Sequence, residues 1–244
     1  MSEKIDEIVD GLLSELAKDV ALLEVELPSR GIGYDSGCDV VKISASNFEM
    51  EKSAAAAMTA DKNFEQVNWM LERCVKGIGK VSDLYLFDKL FLALKLRQAT
   101  YGNDAGGGID CPGCGEESQI NFDVSKIPLK RVPEDWEDPK EITLPKAKKK
   151  VKIFSPRVKH ERYLKTPQAT MDNLWRFIHS IEDYSNKEVI SKVLSKLPMQ
   201  DVNAIISNLI SDYGLDTKIK FVCVGCGHNE IMEMPFSLDF FTES

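Results

Sequence analysis

The 244-residue sequence predicts an α+β protein with three parts: a helical N-terminal region, a four-cysteine zinc ribbon split along the chain, and an inserted subdomain of a β-hairpin and helices. Three observations predict it. Apolar residues recur at helical spacing through most of the first hundred positions. Two near-copies of one motif, Cys111-Pro112-Gly113-Cys114-Gly115 and Cys223-Val224-Gly225-Cys226-Gly227, each stand beside strand-like runs. Between them lie proline-punctuated loops, a lysine-rich hairpin and further helical stretches. The expected boundaries are 1–108 for the helical region, 109–127 with 215–244 for the ribbon and its tail, and 128–214 for the insertion.

Ile5, Ile8, Val9, Leu12, Leu13 and Leu16 fall at i, i+3, i+4, i+7 spacing and predict an amphipathic helix over 4–18. Leu23, Val25 and Leu27 alternate as a short strand that Pro28 stops. Ser29-Arg30-Gly31-Ile32-Gly33 is a loop, and 39–44 a second strand. The stretch 47–58, with its alanine run, favours helix. Asp61 can cap the next helix, which puts Phe64, Val67, Leu71, Cys74 and Val75 on one face. A third helix over 83–100 is apolar around most of its circumference, from Leu84 to Leu96, and is expected to be the buried central element. It ends at Tyr101-Gly102, and Gly106-Gly107-Gly108 reads as a flexible joint. After the first knuckle, 118–124 is strand-like. Beyond Pro128, Pro133 and Pro139, two short strands flank 145–150, a hairpin with a lysine-rich tip. Helices are expected around 168–180, 187–195 and 200–213. Strands at 218–222 and 231–234 flank the second knuckle.

Hydrophobic residues at 43% and charged residues at 29% are an ordinary globular balance. No stretch reaches the roughly 18 apolar residues of a membrane span. The first residues are acidic and amphipathic without a signal-peptide core, so a reducing cytoplasm is the expected setting. Six cysteines are too sparse for a disulfide scaffold, and four of them form the two Cys-X-X-Cys pairs. Cys74, on an apolar face, is expected as a buried inert thiol, and Cys38 as structural. Net charge is −8, which argues against a generic nucleic-acid binder. Its distribution is uneven: between 140 and 165 ten Lys or Arg face two Glu, a local +8, so the remainder carries −16. Such a segment marks either a surface for something acidic or a solvated hairpin tip.

Cys-X2-Cys lets two thiolates of one turn reach one metal, and zinc takes four soft ligands in a tetrahedron. Glycine after the second cysteine permits the left-handed turn that aims backbone N–H groups at sulfur. Cys111, Cys114, Cys223 and Cys226 are therefore the expected ligands of one structural zinc per chain. A redox Cys-X-X-Cys is the rival, but one pair suffices for it and it sits at a helix N-terminus; an iron–sulfur centre is the other alternative. Four cysteines close the coordination sphere, so no open position is left for catalysis. The three histidines, His160, His179 and His228, show no metal-ligand or nucleophile–base spacing. The glycine pairs extend to no phosphate-binding pattern, and no enzyme or small-molecule substrate is expected.

One order of parts is distinctive. Leu27-Pro28-Ser29-Arg30-Gly31-Ile32-Gly33-Tyr34 comes early. A buried helix ending Arg97-Gln98-Ala99-Thr100-Tyr101-Gly102 leads to the first knuckle, and the second precedes an aromatic run from Phe236 to Phe241. From about Leu27 to Phe241 the chain resembles the T-even-type phage baseplate hub and hub-assembly protein family. The resemblance implies a non-enzymatic structural or chaperone-like component of a contractile tail. It also implies other baseplate or hub proteins as partners, and a location in the virion baseplate or, during assembly, the host cytoplasm. The basic segment is not part of the resemblance. Read locally, Lys148, Lys149, Lys150, Lys152 and Arg157 are the candidate partner-binding residues. The alternative is a nucleic-acid-binding zinc ribbon that uses these residues with Lys159 and Arg162 on phosphates. The −16 elsewhere and the lack of interleaved aromatics weigh against it.

Overall fold

The computed structural model describes residues 22–34, 38–56, 63–210 and 212–233. The helix expected over 4–18, the Asp61 cap and the aromatic run from Phe236 to Phe241 lie outside them.

The alternating residues of the first strands do pair. β1 (Leu23–Glu26) and β2 (Val40–Ile43) run antiparallel with Leu23 opposite Ile43, and β3 (Val75–Lys76) joins the other edge of β2. Three helices follow in the same region: α1 (Phe48–Ala56), α2 (Asn63–Cys74) and α3 (Leu86–Tyr101). Leu71 and Cys74 of α2 meet Val41 and Ile43 of β2 and Phe91 and Leu92 of α3 in one core. The all-round apolar pattern of α3 has the expected cause: Phe87, Phe91, Leu92, Leu94 and Leu96 are all buried, against several different neighbours.

That helix also buries Asp88, Lys89 and Arg97, which periodicity does not announce. Each has an assigned partner, as buried polar groups require. The Asp88 carboxylate accepts from the Ser29 backbone N–H at 3.0 Å and from the Tyr34 hydroxyl at 2.6 Å. It thereby fastens the Leu-Pro-Ser-Arg-Gly loop to α3. Gly31 is needed in that loop, because its φ is +72° and a Cβ there would lie 2.8 Å from the backbone of Cys38 and Asp39. Burial raises the Asp88 pKa to about 6. An acid whose folded pKa exceeds its unfolded value contributes stability below the unfolded value and loses it as pH rises through the folded one. Asp88→Ala strands two buried donors and should cost about 2–4 kcal/mol. The stability gap between wild type and variant, from urea unfolding, should be wider at pH 5 than at pH 7.5.

The glycine run is not a joint. β4 (Asp104–Asp110) contains all three glycines and pairs with β5 (Glu117–Asp123), Gly106 opposite Asn121 and Gly108 opposite Gln119. A Cβ on Gly106 would sit 2.4 Å from the Asn121 amide oxygen, so absence of a side chain here serves close approach and not mobility. After β5 the chain leaves through β6 (Leu129–Lys130). Between there and β10 (Gly214–Leu215), which pairs antiparallel with β6, come β7 (Lys140–Thr143), β8 (Lys150–Ile153) and β9 (Ile178–Ile181), with α4 (Pro167–Asn173), α5 (Lys187–Leu194) and α6 (Met199–Leu209). β7, β8 and β9 form an antiparallel sheet in that order. Its core takes buried residues only from Leu144 to Leu209, among them Val151, Phe177, Ile190 and Ile205.

One expected element changes type. The helix anticipated over 168–180 stops at Asn173, passes through a 3-10 turn (Leu174–Phe177) and becomes β9. Leu174, Phe177, Ile178 and Ile181 are spaced i, i+3, i+4, i+7, which imitates a helix face. They are buried because the turn and the strand both face the same core.

Candidate metal centre

β11 (Lys218–Val222) and β12 (Asn229–Glu233) form a second hairpin, and each hairpin carries one cysteine motif at its tip. The two tips are built alike. Cys111 N–H donates to Glu116 O at 2.9 Å and Gly115 N–H to Cys111 O at 2.8 Å; Cys223 to His228 and Gly227 to Cys223 repeat this at 2.8 and 3.0 Å. Gly115 and Gly227 both have φ of 75°, the left-handed turn that closes a knuckle. The knuckles also interlock. A Cβ on Gly113 would stand 3.0 Å from the His228 side chain, and one on Gly225 2.8 Å from the Glu116 carboxylate. The residue after each knuckle glycine thus covers the opposite knuckle.

The interlock brings the four sulfurs together. Their Sγ atoms all lie within 4.8 Å of one another. Cys111 is 3.7 Å from Cys226 and Cys114 3.8 Å from Cys223, and all four are free thiols. A tetrahedron with zinc–sulfur bonds of about 2.3 Å has edges of about 3.8 Å, so the donor set and spacing fit one zinc-sized ion. Among the described residues this is the group of candidate ligands close enough to share one ion. Cys111 and Cys223 face inward on a small core with Ile109 and Phe221, while Cys114 and Cys226 face out.

Donors point at sulfur, as thiolates need. Gly113 N–H reaches Cys111 Sγ at 3.3 Å, and the Ser118 hydroxyl reaches Cys223 Sγ at 3.6 Å. The backbone N–H of Cys226, then Ser118, lower the Cys223 pKa to about 6. Ser118 was not singled out by the motif, although it follows the first knuckle on a strand that faces the second. His228 contributes packing: its ring lies on Gly113, with Nε2 3.2 Å from a Glu230 carboxylate oxygen. Cys74 is buried beside the Met50 sulfur at 3.7 Å, and burial pushes its thiol pKa up. Cys38 is half-buried at the edge of the first core.

The structure separates the residues of the basic segment. Lys148, Lys149, Lys150 and Lys152 are exposed on or beside the tip of the β7–β8 hairpin. Lys150 lies 2.7 Å from Glu141, and Lys149 3.8 Å from Glu182. Arg157 is a correction, because its side chain is 19% exposed and turned inward. Its guanidinium donates to Asp83 O at 2.7 Å, Gly33 O at 2.9 Å and the Tyr85 hydroxyl at 2.9 Å, and it sits 4.3 Å from the Tyr85 ring centre. It ties the segment after β8 to Gly33, at the end of the early loop, and to the residues that lead into α3. Glu161 does the same, accepting from the buried Lys89 ammonium at 2.7 and 2.8 Å.

Fold and site together define an α+β chain organised on two knuckle hairpins whose cysteines can hold a metal ion. A family model described as T4 bacteriophage base plate protein matches residues 21–242, and the chain belongs to that family. Membership carries a structural role in a phage tail baseplate and contact with other baseplate proteins. No curated protein and no solved structure matches the chain. Among the described residues no helix is long and apolar enough to cross a membrane.

Proposed function

We propose that the protein is a non-enzymatic structural or assembly component of a contractile-tail baseplate hub, stapled by one zinc on Cys111, Cys114, Cys223 and Cys226. The observation that carries the reading is the four-sulfur cluster, which spends every ligand position on the protein and so supports a structural ion over a catalytic one. The bound ion supplies cross-linking charge. The chain's residues supply the rest: two thiolates from each hairpin, N–H and O–H donors to sulfur, and the Gly113–His228 and Gly225–Glu116 contacts that seat the knuckles. The ribbon in this reading is split by the insertion, which the β6–β10 pairing closes at its base.

The docking element of this reading is the lysine-rich tip. Its backbone is held in advance: the buried Asp201 carboxylate accepts from Lys146 N–H at 2.7 Å and Ala147 N–H at 2.9 Å. Leu144 N–H donates to Lys149 O at 2.9 Å. A backbone ordered in advance has little further entropy to lose on meeting a partner, and its exposed lysines steer an acidic surface over about a Debye length, roughly 10 Å at 0.1 M salt. Reversing Lys148, Lys149 and Lys150 to Glu should weaken salt-sensitive binding to a purified hub protein by about tenfold. Zinc content and melting temperature should stay near wild type. Normal assembly by the reversed protein would mean a solvated tip, and lost DNA or RNA retention with hub binding intact would favour the nucleic-acid reading.

A further inference from the structure

The two knuckle hairpins are one scaffold used twice, so each serves as a control for the other. With Cys111 aligned on Cys223, Asp110 corresponds to Val222, Pro112 to Val224, Gln119 to Ile231 and Gly108 to Lys220. Alternation along the strands sets the faces. Ile109 and Ile120 turn inward in the first hairpin, as Ile219 and Phe221 do in the second, so Asp110 and Gln119 or Val222 and Ile231 turn outward. The first hairpin therefore shows solvent a carboxylate and an amide where the second shows β-branched apolar side chains. Val222 is 54% exposed, Ile231 73% and Val224, at the knuckle, 96%. Knuckle geometry does not demand Val222 or Ile231, since the first hairpin makes the same hydrogen bonds with Asp110 and Gln119 there and Pro112 in place of Val224. Lys220 lies directly across the ladder from Ile231 and charges the middle of the face.

We propose that this face, Val222, Val224 and Ile231 around Lys220, is a second docking surface. Its partner is a different baseplate protein that presents apolar side chains beside a carboxylate. Membership of the family supplies the class of partner; neither the zinc nor the lysine tip enters the argument. A small apolar patch with a central cation matches an apolar patch with a central anion. A second copy of this chain does not fit. Face-to-face pairing brings two Lys220 side chains together between chains that each carry −8. The outward face of the first hairpin is acidic and, of its aligned positions, only Pro112 is apolar, too little to cover Val222, Val224 and Ile231 together.

The test uses the full chain and the purified baseplate proteins of the same phage, presented one at a time. A photo-cross-linking amino acid at position 224 should join to one of them, and the same probe at position 119 should not. Val224→Ser and, separately, Ile231→Asp should weaken binding to that protein by about tenfold. Gln119→Asp should leave it unchanged. All three positions are exposed, so zinc content and melting temperature should match wild type. The lysine-tip reversal is measured in parallel, so failure of one surface is distinguishable from failure of the other. Unchanged binding in both ribbon variants overturns the proposal. So does a cross-link within the chain, a cross-link to a second copy with dimer sedimentation, or no binding by any baseplate protein.

Discussion

Cys111→Ser and Cys223→Ser should each abolish zinc retention and destabilise the protein to a similar extent. The two positions lie in hairpins 112 residues apart in sequence, but one ion would join them, so loss from either side removes the same link. Structural zinc contributes on the order of 10 kcal/mol in finger peptides near neutral pH, against a net domain stability of about 5–15 kcal/mol. The core beneath the two knuckles is too small to absorb that loss, since it buries little more than Ile109 and Phe221 with the two inner cysteines. Thermal unfolding followed by circular dichroism should show both variants melting well below wild type, and a strong chelator should bring wild type down to them. Cys38→Ser is the control and should change little. Bound metal favours thiolate, so protons compete with it; the stabilisation should be present near neutral pH and decline as pH falls.

The second large effect concerns the tie between Lys89 of α3 and Glu161, in the segment after β8. Glu161→Ala should cost about 3–5 kcal/mol, because it removes the carboxylate that accepts two hydrogen bonds from the buried Lys89 ammonium. Lys89 is 6% and Glu161 18% exposed at the side chain. Burial depresses the Lys89 pKa, and the Glu161 charge only partly opposes it, so the pair is costly to assemble and costlier to break. The double change Lys89→Met with Glu161→Leu removes both charges and keeps the volume, and should lie close to wild type. A double-mutant cycle in urea, read as midpoint and slope, gives the coupling. Two equally damaging and additive single losses would mean that the pair is not coupled.

These two cases mark where sequence reading succeeds and where it stops. The knuckles were legible because ligand type, spacing and the following glycine are all local, and local geometry repeats them at both tips. The central helix was legible because an apolar circumference has one ordinary cause. Lys89 and Glu161, by contrast, are 72 residues apart, and nothing in either neighbourhood names the other. Arg157 belongs to the same basic segment as the hairpin lysines, yet carbonyls of Gly33 and Asp83 draw it inside. Gly106 looked like a joint because glycine run lengths signal freedom; only the opposing Asn121 reveals a steric need. β9 was misread because its spacing satisfies two periods at once, and pairing with β8 decides between them.

The claim at the centre of this account is the zinc staple, and X-ray absorption at the zinc edge, with metal quantified per chain, addresses it most directly. Protein purified without added metal should carry one zinc per chain, surrounded by four sulfurs at about 2.3 Å with no nitrogen or oxygen neighbour. A fully folded chain without metal would contradict the account, as would iron in place of zinc or a disulfide within each cysteine pair.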